Sequence, residues 1–198
     1  MIAGLAARDR RRLVGAVDEA RRLLVGAVLR IERRADRDPD VRAAQAAYLA
    51  EIARRFGRPL DSGNQGPLTP AWSLLVVDGD RPVGCGALRD LAPGLGEIKR
   101  MWLHPDARGL RLGTRLLAAL ESTARRAGHH EIRLDTNECL REAIALYEDA
   151  GYRRIARYND NPDATRFYSK SLHGRRRRAR RACPNTSLRG VKPGAGLA

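Results

Sequence analysis

Between Glu97 and Thr114 the chain gathers basic side chains and glycines around one proline, a grouping suited to holding an anion. Glu97 to Leu103 reads as a strand that stops at Pro105. The Arg- and Gly-containing loop from Arg108 to Arg111 follows, and then a helix with Leu112, Leu116, Leu117 and Leu120 on its apolar face. A helix start leaves its first backbone N–H groups unpaired and partially positive, and glycine lets a bulky anion approach the main chain. Arg108 and Arg111 add guanidinium donors of the kind that grip phosphate bidentately. The chemistry indicated is binding of a pyrophosphate or phosphorylated cofactor. Two other nucleotide loops are excluded by spacing, since no Lys follows Gly113 and three glycines at G-x-G-x-x-G spacing are absent.

The elements that must position this loop follow from periodicity. Leu5 to about Gly26 places Leu13, Val17, Ala20 and Leu24 near helical spacing, and Val28 to Arg33 alternates as a half-buried strand. Asp38-Pro39 opens a capped helix through Val41, Ala44, Tyr48, Leu49, Ile52 and Phe56, and Gly57 to Pro70 is a loop. Trp72–Val77 and Pro82–Leu88 flank Asp78-Gly79-Asp80-Arg81 as an antiparallel hairpin. After the strand ending at Leu103, a helix is expected over Arg108–Ala127, capped by Gly128, then a strand over Glu131–Asp135. A helix with Leu140, Ala143, Ile144 and Tyr147 on one face closes at Gly151. Strands over Tyr152–Tyr158 and Thr165–Leu172 end the pattern. The fold class expected is mixed α/β, with a mostly antiparallel central sheet flanked by helices.

Composition divides the chain into an N-terminal amphipathic helical extension (1–27), a single domain (28–173) and an Arg-rich tail (174–198) too polar to order itself. The formal net charge of +15 raises nucleic acid or membrane as partners. Eight of the positive residues lie in the tail, which has no acidic residue, so about half the excess belongs to that segment. Three cysteines and four histidines show no metal-ligand or redox spacing, so no metal is expected. Cys85 reads as a core residue. No run approaches a membrane span and no secretion pattern opens the chain, so the expected compartment is the cytoplasm.

Three segments carry a resemblance. Arg108-Gly109-Leu110-Arg111-Leu112-Gly113 resembles the acyl-CoA pyrophosphate loop of the GNAT superfamily of N-acetyltransferases, with Arg111 standing where that loop has its first glycine. Leu134-Asp135-Thr136-Asn137 is the second segment, and Ala143 to Tyr152 is similar to the family's A-x-x-L-Y-x-x-x-G-[FY] stretch. The resemblance implies acetyl-CoA as co-substrate and an amine of a small molecule or protein as acceptor. It implies that main-chain groups of Met101, Trp102 and Leu103 pair with the pantetheine arm beside a splayed sheet, while Arg108 through Thr114 hold the pyrophosphate.

Acyl transfer to an amine needs a base for the ammonium and an acid for the leaving thiolate. By resemblance Tyr147 is the acid. Glu97, six residues before Leu103 and so on its face of a regular strand, is the first choice for base, and Asp135 is the rival. Asn137 either contacts the cofactor or caps the following helix, with capping favoured. The acceptor side is expected from Tyr48 to Pro70 and near Asp160 and Asn161. The competing class is a regulatory or nucleic-acid-associated protein with a degenerate acyl-CoA-binding domain. Nucleic acid would then be held non-specifically through the tail. Dimerisation through the N-terminal helix is a third reading.

Overall fold

Short turns and alternating side chains dictate most of this chain's sheet. The structure, a computed structural model, describes residues 6–61, 68, 71–109 and 111–172, without the side chains of 18–27 and 71. In order these form α1 (Ala7–Val28), β1 (Leu29–Arg34), α2 (Pro39–Phe56), β2 (Ala71–Asp78), β3 (Arg81–Ala92) and β4 (Leu95–Leu103). A 3-10 turn at Pro105–Ala107 leads to α3 (Leu112–Arg126), β5 (Glu131–Thr136), α4 (Arg141–Asp149), β6 (Arg153–Arg154) and β7 (Arg166–Ser171). The expected tail, 174–198, lies outside the described residues.

The seven strands form one sheet in the order β1-β2-β3-β4-β5-β7-β6. Every neighbouring pair is antiparallel except β4 with β5. The turns are local: Asp78 to Arg81 closes β2 on β3, and Pro93-Gly94 closes β3 on β4 with Gly94 at φ 74°. The parallel pair needs a crossover, which α3 supplies.

Each face of the sheet carries its own packing. Leu112, Leu116, Leu117 and Leu120 of α3 are at most 1% exposed and pack with Leu88, Ile98, Ile132, Leu134 and Tyr147. Each such leucine contributes about 1.5–3 kcal/mol by leaving water. On the other face α2 sets Val41 and Ala44 against Leu75, Val77 and Cys85. α2 begins as its sequence implies: the Asp38 side chain accepts the Asp40 N–H, Pro39 opens the helix, and Gly57 ends it at φ 65°. In α1, Leu13, Val14 and Val17 are exposed, so the part of its apolar stripe that is described faces solvent.

Three expectations are corrected. The helix expected from Arg108 starts at Leu112, because Gly109 (φ 82°) and Arg111 (φ 54°) adopt left-handed backbone that a right-handed helix cannot contain. The strand expected over Tyr152–Tyr158 shrinks to Arg153–Arg154, since beyond it only Ile155 N–H, bonded to Phe167 O at 2.9 Å, stays on β7. The third concerns β4. Cys85 opposes Trp102 but Ala87 opposes Lys99, so one extra residue bulges from β4, and Arg100 there has φ 52°. Alternation therefore changes sides within the strand. Ile98, Met101 and Leu103 face α3, whereas Glu97, Lys99 and Trp102 face α2. Glu97 and Leu103 do not share a face.

Candidate active site

The parallel ladder between β4 and β5 runs for four positions and ends at Ile98 opposite Leu134. Beyond it the bulge carries Met101 to Leu103 away from β5, while Trp102 and Leu103 stay paired to Cys85 and Gly84 of β3. The main chain of β4 thus has an open edge toward β5. A cavity of about 660 Å³ occupies the opening, lined by β4 from Ile98 to Leu103, by Asp135 to Asn137, by the start of α3, by α4 and by the cleft side of α2. Met101, Trp102 and Leu103 all border it, as expected.

At one end lies the start of α3. Its first intrahelical bond into that turn is Arg115 N–H to Arg111 O, and no side chain caps the helix, so the N–H groups of Leu112, Gly113 and Thr114 remain for a ligand. Gly113 sits against α4: a Cβ there would lie 3.3 Å from Leu146 Cδ2. Arg111 borders the cavity, and among the described residues its guanidinium has no ion-pair partner. The left-handed φ of Arg111 explains why the resembling loop has glycine at that place. Arg108 is placed differently from a free phosphate ligand, with its guanidinium on Glu51 of α2 (2.8 and 2.7 Å) and on the Leu103 carbonyl (3.0 Å). The Trp102 indole N–H donates to the same Glu51 at 2.7 Å. Burial raises the Glu51 pKa, but these hydrogen bonds outweigh it and hold the carboxyl below its ordinary value. Leu110 lies outside the described residues.

The two candidate carboxylates differ in access. Glu97 is fully buried and does not border the cavity. It accepts from Arg89, from the Tyr158 hydroxyl (2.9 Å) and from Asn159 (3.1 Å). Asp135 does border the cavity. Lys99 Nζ lies 3.0 Å from both its oxygens, and Oδ2 also accepts from Asn159 (2.7 Å) and Asn161 (3.1 Å). A carboxylate has about four lone-pair sites, so Oδ1, with one donor, keeps capacity for another.

Tyr147 projects from α4 into the same space, 7% exposed, its ring 5.9 Å from Tyr152 and 6.3 Å from Tyr168. Burial first, and the nearby Asp135 charge second, push its hydroxyl pKa well above the ordinary phenol value. It therefore carries its proton at neutral pH. Tyr48 of α2 borders the cavity too and is raised by burial and by Tyr147 and Asp135. Asn137 accepts the Cys139 N–H at 3.1 Å and donates to the Asp163 carbonyl at 2.8 Å, so it stabilises the turn entering α4 while bordering the cavity. Lys99, Arg89, Glu51 and Asn159 escaped sequence reasoning. The signal for Asn159 was the Asn-Asp-Asn-Pro-Asp spacing, which reads as a turn until its partners are seen.

An open parallel seam beside an uncapped helix start and a protonated tyrosine is the layout of acyl-CoA N-acyltransferases. Comparison with known proteins agrees. Residues 46–152 match the model of the acetyltransferase (GNAT) family. A solved Klebsiella pneumoniae protein, described provisionally as an acyl-CoA N-acyltransferase, is 35% identical with TM-score 0.61, over 74% of this chain and 99% of that one. A GNAT acetyltransferase from Elizabethkingia anophelis, solved with acetyl-CoA bound, shares the fold at 14% identity and TM-score 0.56, over 73% of this chain and 98% of that one. An IAA acetyltransferase of Azospirillum brasilense is 45% identical over 71 residues, 35% of this chain and 46% of the relative. The chain spans about half the length of the first curated relatives it matches. It belongs to the GNAT acetyltransferase family.

Proposed function

We propose that this chain transfers the acetyl group of acetyl-CoA to a primary amine by direct attack. The observation that carries the reading is the open β4 edge at Met101–Leu103 leading to the uncapped start of α3. The pantetheine arm adds to that edge as a strand would, and the pyrophosphate meets the N–H groups of Leu112 to Thr114 and the Arg111 guanidinium. The acetyl-CoA held by the Elizabethkingia neighbour supports this choice of donor.

The amine nitrogen attacks the thioester carbonyl carbon, the C–S bond breaks as the thiolate takes the proton of the Tyr147 hydroxyl, and the surplus N–H proton of the adduct returns to the Tyr147 oxygen. Asp135, which borders the cavity, takes the proton of the incoming ammonium through its less occupied Oδ1, directly or through one water. Glu97, sealed from the cavity, supports this pair from behind. Asp160, exposed at the cavity rim, attracts the cationic acceptor past Leu49, Ile52 and Phe56 of α2. On this reading residues 28–173 are the catalytic domain, flanked by the extension 1–27 and the tail 174–198. The site of action is the cytoplasm; no helix among the described residues is long and apolar enough to cross a membrane.

Calorimetry with acetyl-CoA and desulfo-CoA tests the donor. Binding of both at micromolar concentrations is expected, and none by folded protein at high micromolar ligand would overturn the reading. A panel of polyamines, amino acids, aminoglycosides and N-terminal peptides then identifies the acceptor.

A further inference from the structure

The loop between β6 and β7 reads Asn159-Asp160-Asn161-Pro162-Asp163, and alternate positions share one geometry. Asn159 Oδ1 accepts the Asn161 N–H at 3.2 Å, and Asn161 Oδ1 accepts the Asp163 N–H at 3.0 Å. Two successive Asx turns thereby fix the loop as a staircase. They also fix which way each amide points, because the oxygen is committed to a backbone donor. Both amide nitrogens are left to face the carboxylates.

Asn159 Nδ2 lies 3.1 Å from Glu97 Oε1 and 2.7 Å from Asp135 Oδ2. Its two protons thus go to two different acids. Glu97 and Asp135 stand on adjacent parallel strands, and two buried carboxylates that close repel unless donors lie between them. Arg89 of β3 serves Glu97 alone, and Lys99 of β4 is 3.0 Å from Asp135 but 3.9 Å from Glu97. Tyr158 donates to Glu97 and Asn161 to Asp135, while Tyr147 of α4 and Tyr48 of α2 border the same cavity as Asp135, whose charge raises both phenols. Among the described residues, Asn159 alone hydrogen-bonds both carboxylates.

We propose that Asn159 is a positioning residue that bridges Glu97 and Asp135, holding the two carboxylates side by side and turning Asp135 Oδ1 toward the acceptor. The kinetic consequence rests on the acetyl-transfer reading; the bridge itself does not. Asn159→Leu removes both amide donors while keeping a side chain of four heavy atoms branched at Cγ, and Asn159→Ser removes them while keeping an oxygen for the turn, which protects the fold.

The carboxyl carbons of Glu97 and Asp135, labelled with carbon-13 and assigned through Glu97→Gln and Asp135→Asn, are followed by NMR from acid to neutral pH. In either Asn159 variant the midpoints of both groups are expected to rise by about one pH unit. In Tyr158→Phe only that of Glu97 moves. Unchanged midpoints in folded Asn159→Ser, or a rise in Glu97 alone, would overturn the bridge. Once an acceptor is known, the acidic limb of kcat/KM should rise with the midpoints while KM for acetyl-CoA stays put; an unmoved limb would overturn the positioning role. Absence of turnover in the unmutated chain would count against acetyl transfer and leave the titration to judge Asn159.

Discussion

Arg111 holds a left-handed backbone conformation that costs a side-chain-bearing residue about 1–2 kcal/mol. Such strain persists when something returns it, and on the proposed reading the return is a bound phosphate group. Arg111→Gly separates the two effects. It should raise folding stability by up to about 1 kcal/mol, the relief of strain less the entropy of a new glycine, while weakening acetyl-CoA binding. Denaturant melts and calorimetry read the two; equal or tighter binding would mean that the guanidinium grips nothing. Tyr147 makes a different prediction, because in the proposed reaction its proton matters only as the thiolate leaves. Tyr147→Phe should lower kcat by about 10²- to 10⁴-fold with little change in acetyl-CoA affinity. Steady-state kinetics beside calorimetry checks this, and unchanged kcat would remove Tyr147 from the acid role.

At the scale of elements, the bulge in β4 sets the chemistry. Because one residue is added at Arg100, Lys99 and Trp102 both turn toward α2 and the strand edge leaves β5. The kink is held by the Arg100 guanidinium on Gln45 Oε1 at 2.6 Å and by close passage of β3 at Gly84, where a Cβ would lie 2.8 Å from the Trp102 carbonyl oxygen. Gly84→Ala should therefore cost about 1–3 kcal/mol and reduce acetyl-CoA affinity as β4 is displaced. A thermal melt and a titration test both parts, and a wild-type melting temperature would show that the strands have slack there. The capped start of α2 at Asp38-Pro39, the turn at Asp78–Arg81 and the apolar face of α3 were legible in the sequence, since each is a local preference written in a few residues. The bulge was not. A single inserted residue leaves no trace in composition, so period-two counting put Glu97 and Leu103 on one face. Arg108 was legible as a cation beside the loop, but its partner Glu51 is 57 residues distant and contact at that range has no local sign.

Across the whole molecule, buried acids make alkaline pH a probe of packing. Burial pushes the Cys85 thiol up to about 12. Burial likewise raises Tyr48, Tyr147, Tyr152 and Tyr158, with neighbouring charges adding to it. In the unfolded chain these groups ionise near about 8.5 for thiol and about 10 for phenol. The folded state thus favours the protonated forms. Their stabilising contribution is complete below those values and is lost as pH rises through the folded ones. Melting temperature should fall steadily from about pH 9 upward, and a flat profile to pH 11 would contradict the burial.

Among the described residues, strands β1–β4 and β5–β7 pair through the four-position ladder from Leu95–Ile98 to Glu131–Leu134, extended by the His130 N–H on Gly94 O at 2.8 Å. The first group closes through hairpins and the second must come back across the α3 crossover, the slower event by loop entropy. On the acetyl-transfer reading, acetyl-CoA seated in the gap acts as a keystone for assembly. It adds cross-links beyond the end of the four-position ladder, so hydrogen exchange should slow on both sides of the seam together.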